Sequence, residues 1–366
     1  MIVVAFAVFL VVHALIHLIG PVKAFGLADL PQLTQAIAPA TGVAWLIASM
    51  LFVAAALMLF AAPRWWWVAG AAGVAVSMWV IAGSWSDARF GAAANLIVLA
   101  GVVLGFLIQG PVSPRAAYEA DTGRQPAAAA MPAVVVDEDL AAMPPALRRY
   151  LRHAGVVGQP RVRSFRARMH GRIRSGPDSP WMPFTARQQN ALEPPSRFFY
   201  MDAWRGALPV QVLHRYTGSD ATMRARVAGI VTVADASGPA LTRAETVTLF
   251  NDMCLMAPAM LVEAPVSWEQ AGEGRVRGTF ANAGHTVRAE LTFGQDGTLL
   301  NFISDDRARA ADDGQLLPAR WSTPVQAYRQ FGAVTIFSRG EGRWEEGSGS
   351  FAYIEFEVDA IEYNVR

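Results

Sequence analysis

Four runs of this chain, residues 2–19, 42–62, 65–83 and 91–109, contain no charged side chain at all. Each is close to the roughly 20 residues that a helix needs to cross a hydrocarbon core. The breaks between them are short and polar, as in Gly20-Pro21-Val22-Lys23, Pro63-Arg64 and Trp85-Ser86-Asp87-Ala88-Arg89. Trp65, Trp66 and Trp67 open the third run, where an aromatic belt meets the membrane surface. Gly101 and Gly105 form a GxxxG pair in the fourth, a surface that admits another helix closely. A cleaved leader is a poor alternative for residues 2–19, because no basic segment precedes them and three further runs follow. The sequence therefore predicts four transmembrane helices over residues 1–110.

Composition separates this part from the rest. Of the 61 charged residues, five (Lys23, Asp29, Arg64, Asp87 and Arg89) lie before residue 111. The other 56 occupy the remaining 256 residues, an ordinary fraction for a soluble domain. A wholly soluble enzyme, a disordered chain and a disulfide scaffold are excluded. The net charge of +1 gives no basic surplus, so no nucleic-acid partner is expected. Thirty arginines stand against one lysine, which together with abundant alanine reads as GC-rich coding rather than phosphate recognition. Cys254 is the single cysteine, so no intrachain disulfide forms. Four spans place both chain termini on one side of the membrane. The side is undecided, since Arg64, Arg115 and Arg124 oppose Lys23 and Arg89.

Polar groups inside a span are the usual pointers to function. His13 and His17 are four apart and share a helix face. They are weak candidates for a metal or haem ligand pair or a proton relay. The plainer reading is two neutral imidazoles bonded to neighbouring helices. Asn95 in the fourth span reads as helix–helix glue.

Residues 111–142 form an Ala/Pro-rich linker, broken by Gly110-Pro111, Ser113-Pro114, the run 126–130 and Met131-Pro132. Residues 143–366 form a second, β-rich domain. It opens with a short helix: Leu147, Tyr150, Leu151 and Ala154 fall at helical spacing, and Gly155 stops it. Arg148, Arg149, Arg152 and His153 cover the opposite face, solvated or against headgroups. Period-two alternation then marks strands at 165–174, 184–190, 197–204, 208–216, 223–233, 274–281, 285–293, 299–305, 334–345, 351–358 and 360–365. Asp296-Gly297 and Gly347-Ser348-Gly349 are hairpin signals. One helix interrupts the strands, opened by a capping box of Thr242 and Glu245 and ended by Pro258. The expected fold is a four-helix membrane bundle plus a mainly antiparallel β domain. That domain is a curved sheet or open barrel of about ten or eleven strands with one covering helix.

The segments WMPF at 181–184, ETVTLFNDMC at 245–254, NFISDDR at 301–307, RWSTP at 320–324 and IEYNV at 361–365 resemble an uncharacterised bacterial family carrying a domain of unknown function. Some of its members are similar in having a four-span membrane region in front. The resemblance covers residues from about 143 to 366 and implies no activity and no catalytic residue. In layout alone, many strands with an inserted helix are also similar to the half-barrels of bacterial lipoprotein and lipid carriers.

No P-loop, dinucleotide fingerprint, HExxH, CxxC or GxSxG is present, and no cofactor is expected. Cys254 could act as a nucleophile with His214 or His285 as base, but its apolar setting reads as an inert thiol. Asp305, Asp306, Asp312 and Asp313 lack the spacing of a calcium loop, and Arg307 and Arg309 stand ready to neutralise them. Trp181, Phe184, Trp204, Glu245, Asn251, Asp252 and Trp321 are the candidate ligand-binding residues, aromatic walls with a few polar guides on the lone helix. Arg166, Arg168, Arg172 and Arg174, with His170, line one face of the first strand. They meet acidic partners on the next strand or, alternatively, anionic headgroups.

These expectations describe a multi-pass protein of a bacterial plasma membrane whose β domain holds a lipid or other apolar ligand. Its partners would be membrane lipids and a protein docking through the helical bundle. Two alternatives stay open: a fully packed structural or partner-binding module, and a membrane-associated enzyme.

Overall fold

In the computed structural model each of the four apolar runs is helical; the structure describes residues 2–31, 33–125, 132–310, 315–346 and 349–365. The chain divides into a helical unit, residues 1–117 together with Ala228–Ile230, and a β unit that comprises the remainder from Tyr118. In the helical unit, α1 (Ile2–His17) and α2 (Ile19–Ala24) make the first run. They are followed by α3 (Pro39–Ala61), α4 (Trp66–Gly83), the single turn α5 (Trp85–Ala88) and α6 (Gly91–Gln109). All four runs are long and apolar enough to cross a membrane. Leu10 and Ala14 of α1, Phe52 and Ala55 of α3, Val74 of α4 and Val98 of α6 share one buried core. The GxxxG pair makes the close contact expected of it. A Cβ on Gly101 would sit 2.4 Å from the Phe6 ring, and one on Gly105 would sit 2.6 Å from the Trp66 ring.

Ordered backbone occupies much of the stretch expected as a linker. Helix α7 (Pro114–Gly123) and a 3-10 turn, Asp137–Leu140, lie within it. Residues 126–131 fall outside the described residues. From Tyr118 the side chains of α7 belong to the β unit: the Tyr118 ring lies 6.0 Å from Tyr200, and Asp121 accepts from Arg215 at 2.5 Å. The short helix α8 (Pro145–His153) buries Leu147, Tyr150 and Leu151 as its spacing demands.

Among the described residues fourteen strands then build a single antiparallel sheet. They are β1 (Ser164–Ile173), β2 (Met182–Leu192), β3 (Pro195–Arg205), β4 (Leu208–Tyr216), β5 (Ala221–Val227), β6 (Val231–Ser237), β7 (Val266–Gly272), β8 (Arg275–Asn282), β9 (His285–Phe293), β10 (Leu299–Ala310), β11 (Leu316–Ser322), β12 (Val325–Phe331), β13 (Val334–Glu346) and β14 (Gly349–Tyr363). Their order is β6-β5-β4-β3-β2-β1-β14-β13-β11-β10-β9-β8-β7, with β12 paired to β13 off that path. Two runs of hairpin-connected strands are thus joined where β1 pairs with β14.

Helix α9 (Pro239–Met256) connects the two runs and lies against strands of both, among them β4 to β6 on one side and β9, β10 and β13 on the other. It starts a turn earlier than the Thr242–Glu245 box suggests, because Pro239 is well placed in a first helical turn. The box does not form. Thr242 Oγ1 donates to the Gly238 carbonyl, and Glu245 turns toward the sheet. Pro258 follows the helix closely, as expected.

The described strands depart from the eleven alternating runs in both directions, and the reasons are local. Strand β14 reads as two because a bulge opposite Arg168 and Met169 leaves Asp359 unpaired and shifts the phase of alternation. The run 223–233 is two strands, since a turn at Ala228–Ile230 divides it. β7 is an edge strand, β11 carries Pro318, and β12 has two register shifts, so none shows a clean period of two. The Asp296-Gly297 hairpin forms, with Gly297 at φ +88°. The Gly347-Ser348 turn lies outside the described residues.

β1 and β14 approach so closely at Gly171 that a Cβ there would meet the Glu355 carbonyl oxygen at 2.0 Å and Phe356 Cα at 2.8 Å. Both obstacles are backbone. Gly171→Ala should therefore cost about 1–3 kcal/mol through overpacking. Hydrogen exchange of β1 and β14 peptides checks this, and unchanged protection would show that the seam tolerates a methyl group.

Candidate functional site

The inward phase of the central strands carries an unusual polar group beneath α9. On β2 the inward positions run Phe184, Ala186, Gln188 and Asn190, so apolar alternation gives way to amides. β3 adds Arg197 and β4 adds His214, while α9 presents Glu245, Thr248, Asn251 and Asp252. Arg197 is the hub. Its Nε donates to Asp252 at 2.7 Å, its Nη1 to Glu245 at 3.1 Å and its Nη2 to Gln188 at 3.4 Å. Asp252 also accepts from Gln188 at 2.7 Å and from Asn190 at 3.0 Å. His214 Nδ1 donates to Glu245 at 3.0 Å. Thr323 donates to Asn251 Oδ1 at 2.6 Å. A buried ion pair survives only when its remaining lone pairs are bonded in this way.

The two carboxyls respond differently to the same surroundings. Burial opposes ionisation of Glu245, but the charges of His214 and Arg197, with Arg307 further off, hold it far below the ordinary glutamate range. For Asp252 burial wins, and its carboxyl is raised despite Arg197 and Asn190.

Beside this network lies a cavity of about 180 Å³. Met169, Phe199, Met201 and Phe356 form its apolar wall, and Trp321 and Trp344 stand near Arg307. The Arg307 guanidinium lies 4.5 Å from the Trp321 ring and 5.5 Å from that of Trp344, and it donates to Thr248 Oγ1. Its Nε is buried with no hydrogen-bond partner, and so is the indole Nε1 of Trp321. Among the described residues no carboxylate pairs with Arg307. Both residues line the cavity, and their unpartnered nitrogens are packed within its wall.

Of the residues singled out from sequence, Glu245, Asn251, Asp252 and Trp321 meet at this cavity. Phe184, Trp181 and Trp204 do not line it. Phe184 is core on β2, and Trp181 stacks on Arg172 at 4.6 Å and Arg174 at 4.5 Å. Trp204 is 45% exposed, because Ala203 and Met201 take the inward phase of β3. Arg197 was not singled out, and His214 and Arg307 were read only as a possible base for Cys254 and a partner of the acidic segment, although polar residues at the inward phase of β2 and β3 were a usable signal.

The arginine face of β1 has partners within the sheet. Arg172 grips Glu355 with two bonds of 2.8 and 2.9 Å, His170 meets Asp359 at 2.7 Å, and Arg166 donates to Gln189. Arg174 donates to the carbonyls of Ala352 and Pro177, and Arg168 is exposed. In the acidic segment, Asp306 accepts from Arg243 and Asp305 from Arg320, while Arg307, expected to neutralise them, points into the cavity instead. Asp312 and Asp313 lie outside the described residues. Cys254 is fully buried, and burial pushes its thiol far up. Neither His214 nor His285 bonds to it among the described residues.

In the helical unit the two histidines are satisfied by neighbouring helices. His17 Nδ1 donates to the His13 carbonyl at 2.9 Å, so its Nε2 accepts from Ser77 Oγ at 2.7 Å. Asn95 Nδ2 then donates to Ser77 at 2.8 Å, and its Oδ1 accepts from His13 Nε2 at 2.9 Å. No group of three or more His, Cys, Asp or Glu that could hold a metal occurs among the described residues.

Solved structures similar in layout cover between 55% and 60% of this chain. A putative outer membrane lipoprotein-sorting protein domain from Vibrio parahaemolyticus is 8% identical, covering 55% of this chain and 85% of that one, at a TM-score of 0.31. A LolA superfamily protein from Nitrosomonas europaea is 10% identical over 59% and 93% of the two chains, at a TM-score of 0.33. A DUF1329 family protein from Desulfovibrio piger is 12% identical over 60% and 91%, at 0.33. No curated protein matches the chain. A family model does match residues 133–356, more than half of the chain and nearly all of the sheet with α9, and by that match the protein belongs to the family of unknown function DUF6544.

Proposed function

We propose that this is a membrane-anchored binding protein whose β unit holds an amphipathic ligand, an acyl chain bearing a carboxylate or phosphate, beneath α9. The observation that carries this reading is the pairing, at one cavity, of an apolar wall with Arg307, a lining cation that no carboxylate pairs with among the described residues. The guanidinium favours an anion, and the two tryptophan faces hold it in place. At about 180 Å³ the cavity is smaller than the roughly 300–1,000 Å³ of pockets that enclose whole ligands. It suits a medium chain, or one end of a longer one. The four apolar helices keep the domain beside a source of such molecules.

Photolabelling of the full chain in nanodiscs with a diazirine-bearing decanoate tests the idea. Labels are expected on cavity-lining peptides of β1, β3 and β14. Arg307→Gln removes the charge-assisted bonds and should weaken labelling by roughly tenfold to a hundredfold. Labels confined to the helical unit, or equal labelling of Arg307→Gln, would sink the proposal and favour a packed module that answers to a protein partner.

A further inference from the structure

The turns at the two ends of the first run of strands differ in character. β2 and β3 join at Glu193-Pro194, and β4 and β5 at Thr217-Gly218-Ser219-Asp220. Arg197 lies opposite Tyr216, so both turns sit at one end of the sheet, and neither exposes a large apolar side chain. At the other end the pairing of Val210 with Val227 aligns the β3–β4 turn with the close of β5 and the start of β6. There Trp204, Leu208 and Val231 are 45%, 52% and 56% exposed. Phe184 opposite Ala203 brings the β1–β2 turn to this end as well, where Trp181 stacks on Arg174. Apolar side chains gathered in solvent at one end of a sheet mark a contact surface.

Two cations stand among these side chains. Arg205 is exposed opposite Leu208, and Arg226 lies one residue before the last pair of β5 and β6, Val227 with Val231. Among the described residues neither makes an ion pair or a side-chain hydrogen bond. The acids close by in sequence are already engaged. Asp202 accepts from Tyr200 Oη at 2.5 Å and from Gln211 at 3.2 Å, and Asp235 pairs with Arg224 at 2.7 Å. Arg174 donates to carbonyls and not to a carboxylate. This end of the sheet is therefore apolar and carries uncancelled positive charge.

We infer that this end of the β unit docks on an anionic lipid surface, with Trp204, Leu208 and Val231 entering the boundary beneath the headgroups and Arg205 and Arg226 meeting phosphates. Tryptophan suits that boundary, since its body is apolar and its N–H stays wet. Apolar insertion and attraction to anionic headgroups reinforce one another in such a contact. A second copy of the chain is the other partner an exposed corner of this kind takes, because β6 is an edge strand. The two arginines favour lipid: two copies meeting here would bring like charges together with no acid to offset them. The inference shares with the proposed function only the anchoring of the chain, and it needs no ligand beneath α9.

The test places a fluorescent dye at either end of the sheet in the full chain, through Ala207→Cys on the β3–β4 turn or Ser219→Cys on the β4–β5 turn. Cys254 is buried and stays unlabelled. In nanodiscs of phosphatidylcholine and phosphatidylglycerol, doxyl-labelled lipid should quench the dye at Ala207→Cys and leave the dye at Ser219→Cys bright. Adding Arg205→Gln and Arg226→Gln to Ala207→Cys should lower the ratio of docked to free dye by roughly fivefold for each arginine removed. Nanodiscs of phosphatidylcholine alone should lower it likewise. Equal quenching at the two ends, no quenching at Ala207→Cys, or quenching that ignores both the arginines and the lipid charge overturns the inference. So do two chains per nanodisc with the Ala207→Cys dye unquenched, which would assign the corner to a second copy. A chain that fails to enter nanodiscs overturns the anchoring itself, and the inference with it. Should the arginine variant lose its single elution peak, salt replaces it: quenching at Ala207→Cys should fall as ionic strength rises, and salt-independent quenching is the contrary result.

Discussion

Replacing Arg197 by Met should destabilise the β unit by about 3–5 kcal/mol, because it strands two buried carboxylates without their shared cation. Glu245 and Asp252 are both nearly inaccessible, and Arg197 contacts each of them directly. In the native network Glu245 is depressed below its ordinary value of 4.5. It contributes stability that is present above that value and lost as the pH falls through the folded one. Asp252 is raised above 3.8, so its share has the opposite sign: it is present below 3.8 and declines as the pH rises through the folded value. Without Arg197 both folded values move up. The deficit in the variant should then shrink as the pH falls and both groups take protons. Hydrogen exchange of β2, β3 and α9 peptides in the full chain, measured at two pH values, provides the check. A triple variant that also carries Glu245→Gln and Asp252→Asn should regain most of the loss. A deficit below about 1 kcal/mol would mean that water already screens the network, and the account of a dry charge cluster would fall.

Phe250→Ala is the second large effect, at about 3–5 kcal/mol for an aromatic removed from a core. The ring is fully buried on α9, with centroids 5.8 Å from Trp268, 5.6 Å from Phe280 and 5.4 Å from Phe302. Gly278 beneath it is the reason the ring fits, since a Cβ there would lie 2.6 Å from Phe250 Cζ. These neighbours come from β7, β8 and β10, so the loss should appear as reduced protection in those strands as well as in α9. Phe250→Leu keeps most of the volume and should cost less than about 1.5 kcal/mol. If the two variants were equally unstable, shape rather than volume would be the deciding term.

The four apolar helices were legible because long runs without charge leave few other solutions. The strands were legible wherever one face is buried and the other wet, as in β1, β8 and β9. Legibility failed at Asp359, where a single extra residue inverts the phase, and at β7 and β12, whose edge position or bulges remove the alternation. The site was half visible. Glu245, Asn251 and Asp252 stood out as polar groups on an apolar helix, and they do line the cavity. Trp204 was chosen for its ring, but a ring carries no information about which face it occupies. Arg197 and Arg307 failed in the converse way. An arginine in a strand reads as solvated until the register shows that its neighbours in phase, Phe199 and Met201 for Arg197, all point inward.

The pairing of β1 with β14 has a consequence for how the protein is made. Strand β1 waits for a partner that lies far downstream in the sequence, with Phe165 opposite Tyr363 and Ile173 opposite Ile354. A ribosome must therefore translate nearly the whole β unit before the first strand can close its second edge. Until then the nascent chain presents a long, half-paired strand, the kind of edge that captures other chains. A message cut short before β14 would yield an open sheet prone to self-association, rather than a smaller working protein.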